Sequence, residues 1–295
     1  MKRVVAIVLS LALAGCDYSP PGPPVEEAVG APLDAPRVSV TAPGDGQQQV
    51  MAFTDIDSAQ EVSVAVSEGF NQDVIQAAAA DGFHPSVATA AVTLPLNIEV
   101  TPASDAASGQ APATRNVFAK VQATPDIPTA EGFQFGWRAV DSGQASSLRL
   151  AAPKQASDED RAAAEQAILK LVAHQVVFPT DPIAPGATWT VESRVTGDNT
   201  LLQTTTYRLV SYKDNQATLD VDISQRPSLG ALQLADGQSV DVLNTQSEST
   251  GTLTVDLTKP LPVAGEVDVT TTVIYGQKDA AVRVIQTTAT KVRFS

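Results

Sequence analysis

Gln216–Ser224 reads QATLDVDIS, and the alternation within it decides the fold. Ala217, Leu219, Val221 and Ile223 fall on one side of an extended chain, and Thr218, Asp220, Asp222 and Ser224 on the other. Successive side chains of a strand point to opposite faces, so this segment is a strand with one apolar and one polar face. Gly251–Leu257 repeats the pattern, with Leu253, Val255 and Leu257 against Thr252, Thr254 and Asp256. Asp214-Asn215, just ahead of the first segment, sits where a two-residue hairpin turn belongs. Strands of this kind belong to an antiparallel sheet whose apolar face is covered.

Working outward, Thr188–Val195, Leu202–Tyr212, Glu266–Tyr275 and Ala281–Phe294 bring the strands after residue 187 to six. Pro185-Gly186 is a turn dipeptide leading into the strand of Trp189. Ser157 to about His174 is the clearest helix, with Ser157 as its cap and Asp160 completing a capping-box-like pair. Ala164, Ala167, Ile168, Leu171 and Val172 form its apolar stripe. Nearer the N-terminus, Val38 and Val40, Val50 and Ala52, and Glu61–Glu68 alternate as strands do. Asn71–Asp81 contains Val74, Ile75 and an alanine run and is read as a short helix, although a strand also fits. Val87–Val100 is broken by Pro95, which predicts an edge strand or two short ones. Residues 101–114 read as a loop, and Asn116–Ala123 and Phe133–Val140 as further strands. The expected fold class is mainly β (α+β), with antiparallel sheets in two lobes or one large curved sheet, covered by one amphipathic helix at about 157–174. The lobes would be residues 37–150 and residues 151–295, sharing an interface.

The first residues carry an address. Lys2 and Arg3 precede an apolar run, Val4–Leu13, interrupted only by Ser10. Ten residues are too few to span a bilayer as a helix, which takes roughly 20, so the run reads as a signal-peptide core. Leu13-Ala14-Gly15-Cys16 follows and holds the sole cysteine of the chain. It resembles the lipobox of bacterial lipoproteins. The resemblance implies lipid transfer to the Cys16 sulfur, removal of residues 1–15, and anchoring on the outer face of the cytoplasmic membrane. Two acyl chains suffice for stable anchoring where one binds reversibly. Asp17 is the residue type that implies inner-membrane retention in Gram-negative lipoproteins. Residues 16–36 are rich in Pro, Gly, Ala and acid, and read as a disordered tether that lifts the body off the membrane.

Composition and motifs exclude several functions. Removing residues 1–15 takes away Lys2 and Arg3 and no acid, leaving 17 basic and 33 acidic residues and a formal charge of −16. Nucleic acid repels such a body. With Cys16 alone, no intramolecular disulfide can form. His84 and His174, about ninety positions apart, make no zinc signature, so no metal site and no cofactor are expected. His174 ends the helix, where a cationic imidazole would favour the helix dipole. Asp158-Glu159-Asp160 suits a helix N-terminus for the same reason. Asp220 and Asp222, about 7 Å apart on one strand face, read as a solvated side rather than a calcium pair. Nucleophile elbows and glycine-rich phosphate loops are missing, and Thr288-Ala289-Thr290-Lys291 only approaches Ser-x-x-Lys spacing. Threonines in Thr204–Thr206, Thr270–Thr272 and Thr287-Thr288 express β propensity, or else line a curved sheet around a partly apolar cavity.

Phe178-Pro179-Thr180-Asp181-Pro182-Ile183-Ala184-Pro185-Gly186-Ala187-Thr188-Trp189 is similar to a segment of an uncharacterised family of actinobacterial secreted lipoproteins, a domain of unknown function. The similarity continues through Gln225–Leu229, Lys259–Pro262 and Thr272–Gly276. It implies a cell-envelope setting and transfers no catalytic residue. In physical terms these motifs are turns, and Trp189 is expected to plug the core. The functional expectation is a non-enzymatic envelope lipoprotein that binds or carries a hydrophobic molecule, such as a lipid or lipoglycan precursor. The alternative is an adaptor that holds another envelope protein through an exposed sheet surface.

Overall fold

The computed structural model describes residues 23–80, 83, 85–104, 112–195, 201–233 and 239–295. Cys16, the lipobox residues Leu13, Ala14 and Gly15, and His84 lie outside the described residues. The hairpin at the centre of the sequence reading forms as expected. Strands β9 (Leu201–Lys213) and β10 (Gln216–Pro227) pair antiparallel, and the turn residues Asp214 and Asn215 hold φ of 51° and 62°. A tight hairpin turn asks for positive φ at both central positions, and Asp and Asn tolerate it.

Beyond β9 come β8 (Thr188–Val195) and then β2 (Arg37–Ala42), at one edge of the sheet. Beyond β10 come β12 (Ser239–Asp256), β13 (Ala264–Gly276) and β14 (Val282–Phe294). The sheet continues through β3 (Ala59–Gln76), β4 (Ala90–Pro102) and β5 (Arg115–Val121). It ends with β6 (Gln134–Ala139), β7 (Ala145–Ala151) and β1 (Val29–Pro32). These thirteen strands form one antiparallel path among the described residues, and the short β11 (Ala231–Gln233) pairs with β12 beside it.

Of the two expected arrangements, the described residues form the single large sheet, and no division into two lobes is seen. The last strand, β14, pairs along β3 from Gln76↔Val282 to Val64↔Phe294, so the ladder runs straight across the expected division at residue 150. Strand β2 likewise crosses it to pair with β8. The two edge strands, β1 and β2, do not pair with each other, yet only residues 33–36 separate them in the chain. Five backbone steps reach at most roughly 18 Å, so the sheet must curl until its edges face one another. The result is a half-open barrel with a seam.

Helix α1 (Asp158–Ala173) fills the concave side, lying against β3, β4 and β14. The Ser157 hydroxyl accepts from the Asp160 backbone N–H at 3.2 Å, as the capping pattern requires. Asp160 also accepts from the backbone N–H of Thr129 at 2.7 Å, which ties the helix start to the loop before β6. Ala164, Ala167, Ile168 and Leu171 enter one continuous core with Val62, Val64 and Val66 of β3 and with the inward residues of β4, β5, β10 and β13.

Four further expectations give way to the structure, each for a local reason. Pro95 lies within β4, between β3 and β5, rather than on an edge. Its missing N–H would face β5 beyond the end of that strand, where its carbonyl accepts from Gln122 N at 2.8 Å. Asn71–Gln76 is strand and not helix because β14 pairs with it throughout, and only Ala77–Ala79 turn as a 3₁₀ helix. Strand β12 begins twelve residues before its apolar half, since Val240 and Val242 alternate only briefly and Asn244–Thr250 carries no apolar residue. The tether, expected to run free to Pro36, is docked from residue 23. Val25 bridges Pro153, the Glu26 N–H donates to Ala152 O at 2.8 Å, and Glu26 pairs with Arg161 at 2.9 Å. Strand β1 then covers β7, whose unpaired edge would otherwise be open to other chains.

Candidate functional site

The seam brings together residues far apart in sequence. Between the two sheet edges, along the exposed flank of α1, lies a cleft of about 420 Å³. Leu33 and Pro36 of the edge link form one wall, Leu169, Val172 and Ala173 of α1 the floor, and Val191 and Val195 of β8 the opposite wall. Leu169 is 44% exposed there, a large apolar side chain facing open space. Asp34, Gln175, Ser193 and Arg194 add polar groups to the lining, and about 300–1,000 Å³ is the usual size of a small-molecule site.

A second, smaller chamber of about 70 Å³ sits at the C-terminal end of α1, on the concave face of β3, β9, β10, β13 and β14. Val195 lines both spaces. Lys170 and His174 form its helical side, and Lys170 Nζ is held by Glu68 at 2.6 Å. Apolar surface comes from Leu201, Val273, Tyr275 and Phe70, the last 51% exposed.

A hydrogen-bonded belt crosses the sheet at this level. Ser247 donates to Thr271 at 2.9 Å, and Thr271 donates to the Gln225 side-chain carbonyl at 2.9 Å. The Gln225 amide donates to Gln203 at 2.8 Å, and Gln203 to Thr205 at 3.2 Å. Thr205, Thr271 and Thr290 face inward and are buried, and Thr272 meets Thr287, also buried, on the opposite face at 3.2 Å. The belt coincides with a split between β10 and β12. Their ladder ends at Asp220↔Thr252. Past that point the Ser249 and Ser247 hydroxyls accept the backbone N–H groups of Ile223 and Gln225, at 2.7 and 2.9 Å. This use of serine accounts for the polar run Asn244–Thr250 in β12.

His174 departs from the cation expected at a helix end. The side chain is buried, and its Nδ1 lies 2.7 Å from Lys170 O. Burial pushes its pKa below the ordinary 6.5, against the raising effect of the Lys170 carbonyl, and the Lys170 ammonium lowers it further. The imidazole is therefore neutral. A carbonyl can only accept, so Nδ1 carries the proton and Nε2 presents a lone pair. Among the described residues Nε2 has no partner. Because the unfolded chain takes up this proton first, stability should be intact above about pH 6.5 and fall as the pH drops below it. Denaturant midpoints between pH 7.5 and 5 should decline more steeply for the native protein than for His174→Gln. Parallel curves would contradict this assignment.

Of the other residues singled out in the sequence, Gln225, Thr271, Thr288 and Thr290 line the chamber, while the acidic pair stays apart from both cavities. Asp220 faces solvent 3.6 Å from Arg208, and Asp222 accepts from Ser249 on the outer side. Among the described residues no three His, Cys, Asp or Glu side chains converge. Trp189 is fully buried, donates to Val177 O at 2.9 Å, and stacks on Tyr207 at 5.3 Å between centroids. It fixes the segment that returns from α1 to the sheet. Of the cleft residues on α1, Val172 belongs to the apolar stripe read in the sequence and packs against the core, and Leu169 and Ala173 flank it at helical spacing. A separate groove of about 410 Å³ lies on the outer face of β5–β7, where Gly136 stands opposite Phe118, which is 46% exposed.

Residues 169–261 match a family of unknown function (DUF6263). That span runs from the last turns of α1 through β8–β12 and so includes one wall of each cavity. No curated protein and no solved structure matches the chain.

Proposed function

We propose that this protein is a lipid-anchored protein of the cell envelope whose half-open barrel binds and carries a hydrophobic molecule. The observation that supports this reading most is the seam cleft of about 420 Å³, where Leu33, Leu169, Val172, Val191 and Val195 stand among Asp34, Gln175, Ser193 and Arg194 and which is open to solvent. The lipobox-like Leu13-Ala14-Gly15-Cys16 supplies the anchor in this reading, and the acidic body keeps the chain away from nucleic acid. Carriage needs no catalytic group. Ala173→Trp puts an indole on the cleft floor. It is expected to weaken binding of a neutral pyrene-labelled acyl ester by about ten-fold or more, with an unchanged far-ultraviolet spectrum. Unaltered binding in that variant would remove the cleft from the proposal.

The alternative, an envelope adaptor, draws on the outer groove beside Phe118. In that reading a partner protein would cover Phe118, and Phe118→Asp would abolish its recovery from crosslinked membranes while leaving acyl-probe binding intact.

A further inference from the structure

The outer face of β5–β7 carries a charge opposite to that of the rest of the body. The chain has a formal charge of −14, yet none of these three strands contains an acid. Alternation places Phe118 and Lys120 of β5, Arg138 of β6 and Arg149 of β7 on the side away from the core. Gly136 stands between Arg149 and Phe118 in the ladder, so the missing side chain leaves a trough between the guanidinium and the half-exposed ring. Among the described residues these cations meet no carboxylate, and Arg138 reaches only the Asn116 amide and the Ser104 carbonyl. Arg161, Lys170 and Lys291 elsewhere are all paired with acids. Glu99, opposite Phe118 on β4, and Glu131, ahead of β6, border the basic face.

The N-terminal chain joins the body beside this face. The Pro24 carbonyl accepts from Lys154 N at 2.9 Å, and Ala28 lines the trough together with Phe118, Arg138 and Arg149. A methyl group on Gly132 would meet the Pro23 ring at 2.5 Å and the Lys120 stem at 3.9 Å, so Pro23 and Lys120 are neighbours across that glycine. From Cys16 to Pro23 there are seven backbone steps, which reach at most roughly 25 Å. We propose that the outer face of β5–β7 lies against an anionic lipid bilayer, with Phe118 entering the headgroup layer and Lys120, Arg138 and Arg149 turned to the lipid phosphates. This rests on the lipid-anchor reading and adds to it the orientation of the body. Each basic side chain near such a surface adds about five-fold in affinity, and a short tether keeps the local concentration high, so three cations suffice. Strand β1 borders both cavities, Ala28 lining the trough and Pro32 the seam cleft. Docking therefore holds the cleft beside the leaflet from which a carrier would load.

The test uses the native protein from its own envelope, reconstituted in nanodiscs of phosphatidylcholine alone or mixed with phosphatidylglycerol. A water-soluble acetylating reagent is applied, and the rates at Lys120, Lys213 and Lys278 are read by peptide mass spectrometry. With phosphatidylglycerol present, Lys120 is expected to react about five-fold more slowly than in neutral detergent. Lys213 and Lys278, exposed at the β9–β10 and β13–β14 turns, should keep their rates. Phe118→Asp combined with Arg149→Glu should abolish the slowing and leave the far-ultraviolet spectrum unchanged. An unchanged Lys120 rate, in protein whose mass shows acyl groups on Cys16, would overturn the orientation and leave the anchor in place. Protein without acyl groups would overturn the anchor and the orientation with it. Equal slowing in phosphatidylcholine alone would overturn the anionic assignment. Protection of Lys120 in native membranes but not in nanodiscs would give the face to a protein partner and overturn the proposal.

Discussion

Replacing Arg115 with methionine is expected to destabilise the protein by about 3–5 kcal/mol, the usual result of stranding one member of a buried ion pair. Arg115 and Asp55 are 2% and 0% exposed, and their side chains are in direct contact at the base of the barrel. The guanidinium also lies over the Phe53 ring, 4.2 Å from its centroid. Asp55 belongs to the segment between β2 and β3, which runs under the core. Arg115 opens β5 on the far side of β4, so the pair fastens that segment to the sheet. Methionine fills similar space and leaves the Asp55 carboxylate buried without its countercharge. The double variant Asp55→Ala with Arg115→Met should recover much of the loss, since neither charge then remains. Urea denaturation reads both. Equal losses in the single and double variants would mean that the packing on Phe53, and not the charge, carries the effect.

Trp189→Ala should cost a comparable 3–5 kcal/mol, typical for emptying a large aromatic site in a core. Trp189 packs between Phe178, at 5.8 Å, and Tyr207, at 5.3 Å, and donates to the Val177 carbonyl. Its loss leaves that carbonyl unpaired and frees the segment that leads from α1 to β8, hence one wall of the seam cleft. Trp189→Phe should cost less, keeping most of the volume but not the donor. Since Trp137 is then the sole remaining tryptophan, its fluorescence reports unfolding in either variant. A loss below about 1 kcal/mol in Trp189→Ala would show that the neighbouring rings close over the gap.

The readable part of the molecule is the part governed by local rules. QATLDVDIS, the Asp214-Asn215 turn, the capped helix at Ser157 and the buried Trp189 all follow from alternation, backbone preference and apolar spacing, and the structure has each of them. What could not be read is set by partners distant in the chain. Asn71–Gln76 has a helix-like composition, but β14, some two hundred residues later, makes it a strand. The proline-rich run up to Pro36 looks like a free tether, but the open edge of β7 binds it. The seam exists because two strands separated by four residues finish at opposite ends of a thirteen-strand path, which no local pattern encodes. His174 looked like a dipole-stabilising cation. Its burial under the concave face, which makes it neutral, depends on β3, β13 and β14 together. The candidate site is thus assembled almost wholly from tertiary structure, with Val172 of the α1 stripe and the threonines at 271 and 288 as its local traces.

The most direct test of the carrier reading is native mass spectrometry of the full-length protein released from its own envelope, with lipid extraction of the same sample. The expected result is one reproducible amphiphile per chain beyond any covalently attached lipid, lost on denaturation and depleted in Ala173→Trp. Protein that emerges with no such ligand, from membranes rich in candidate lipids, would contradict it and direct attention to the outer groove at Phe118.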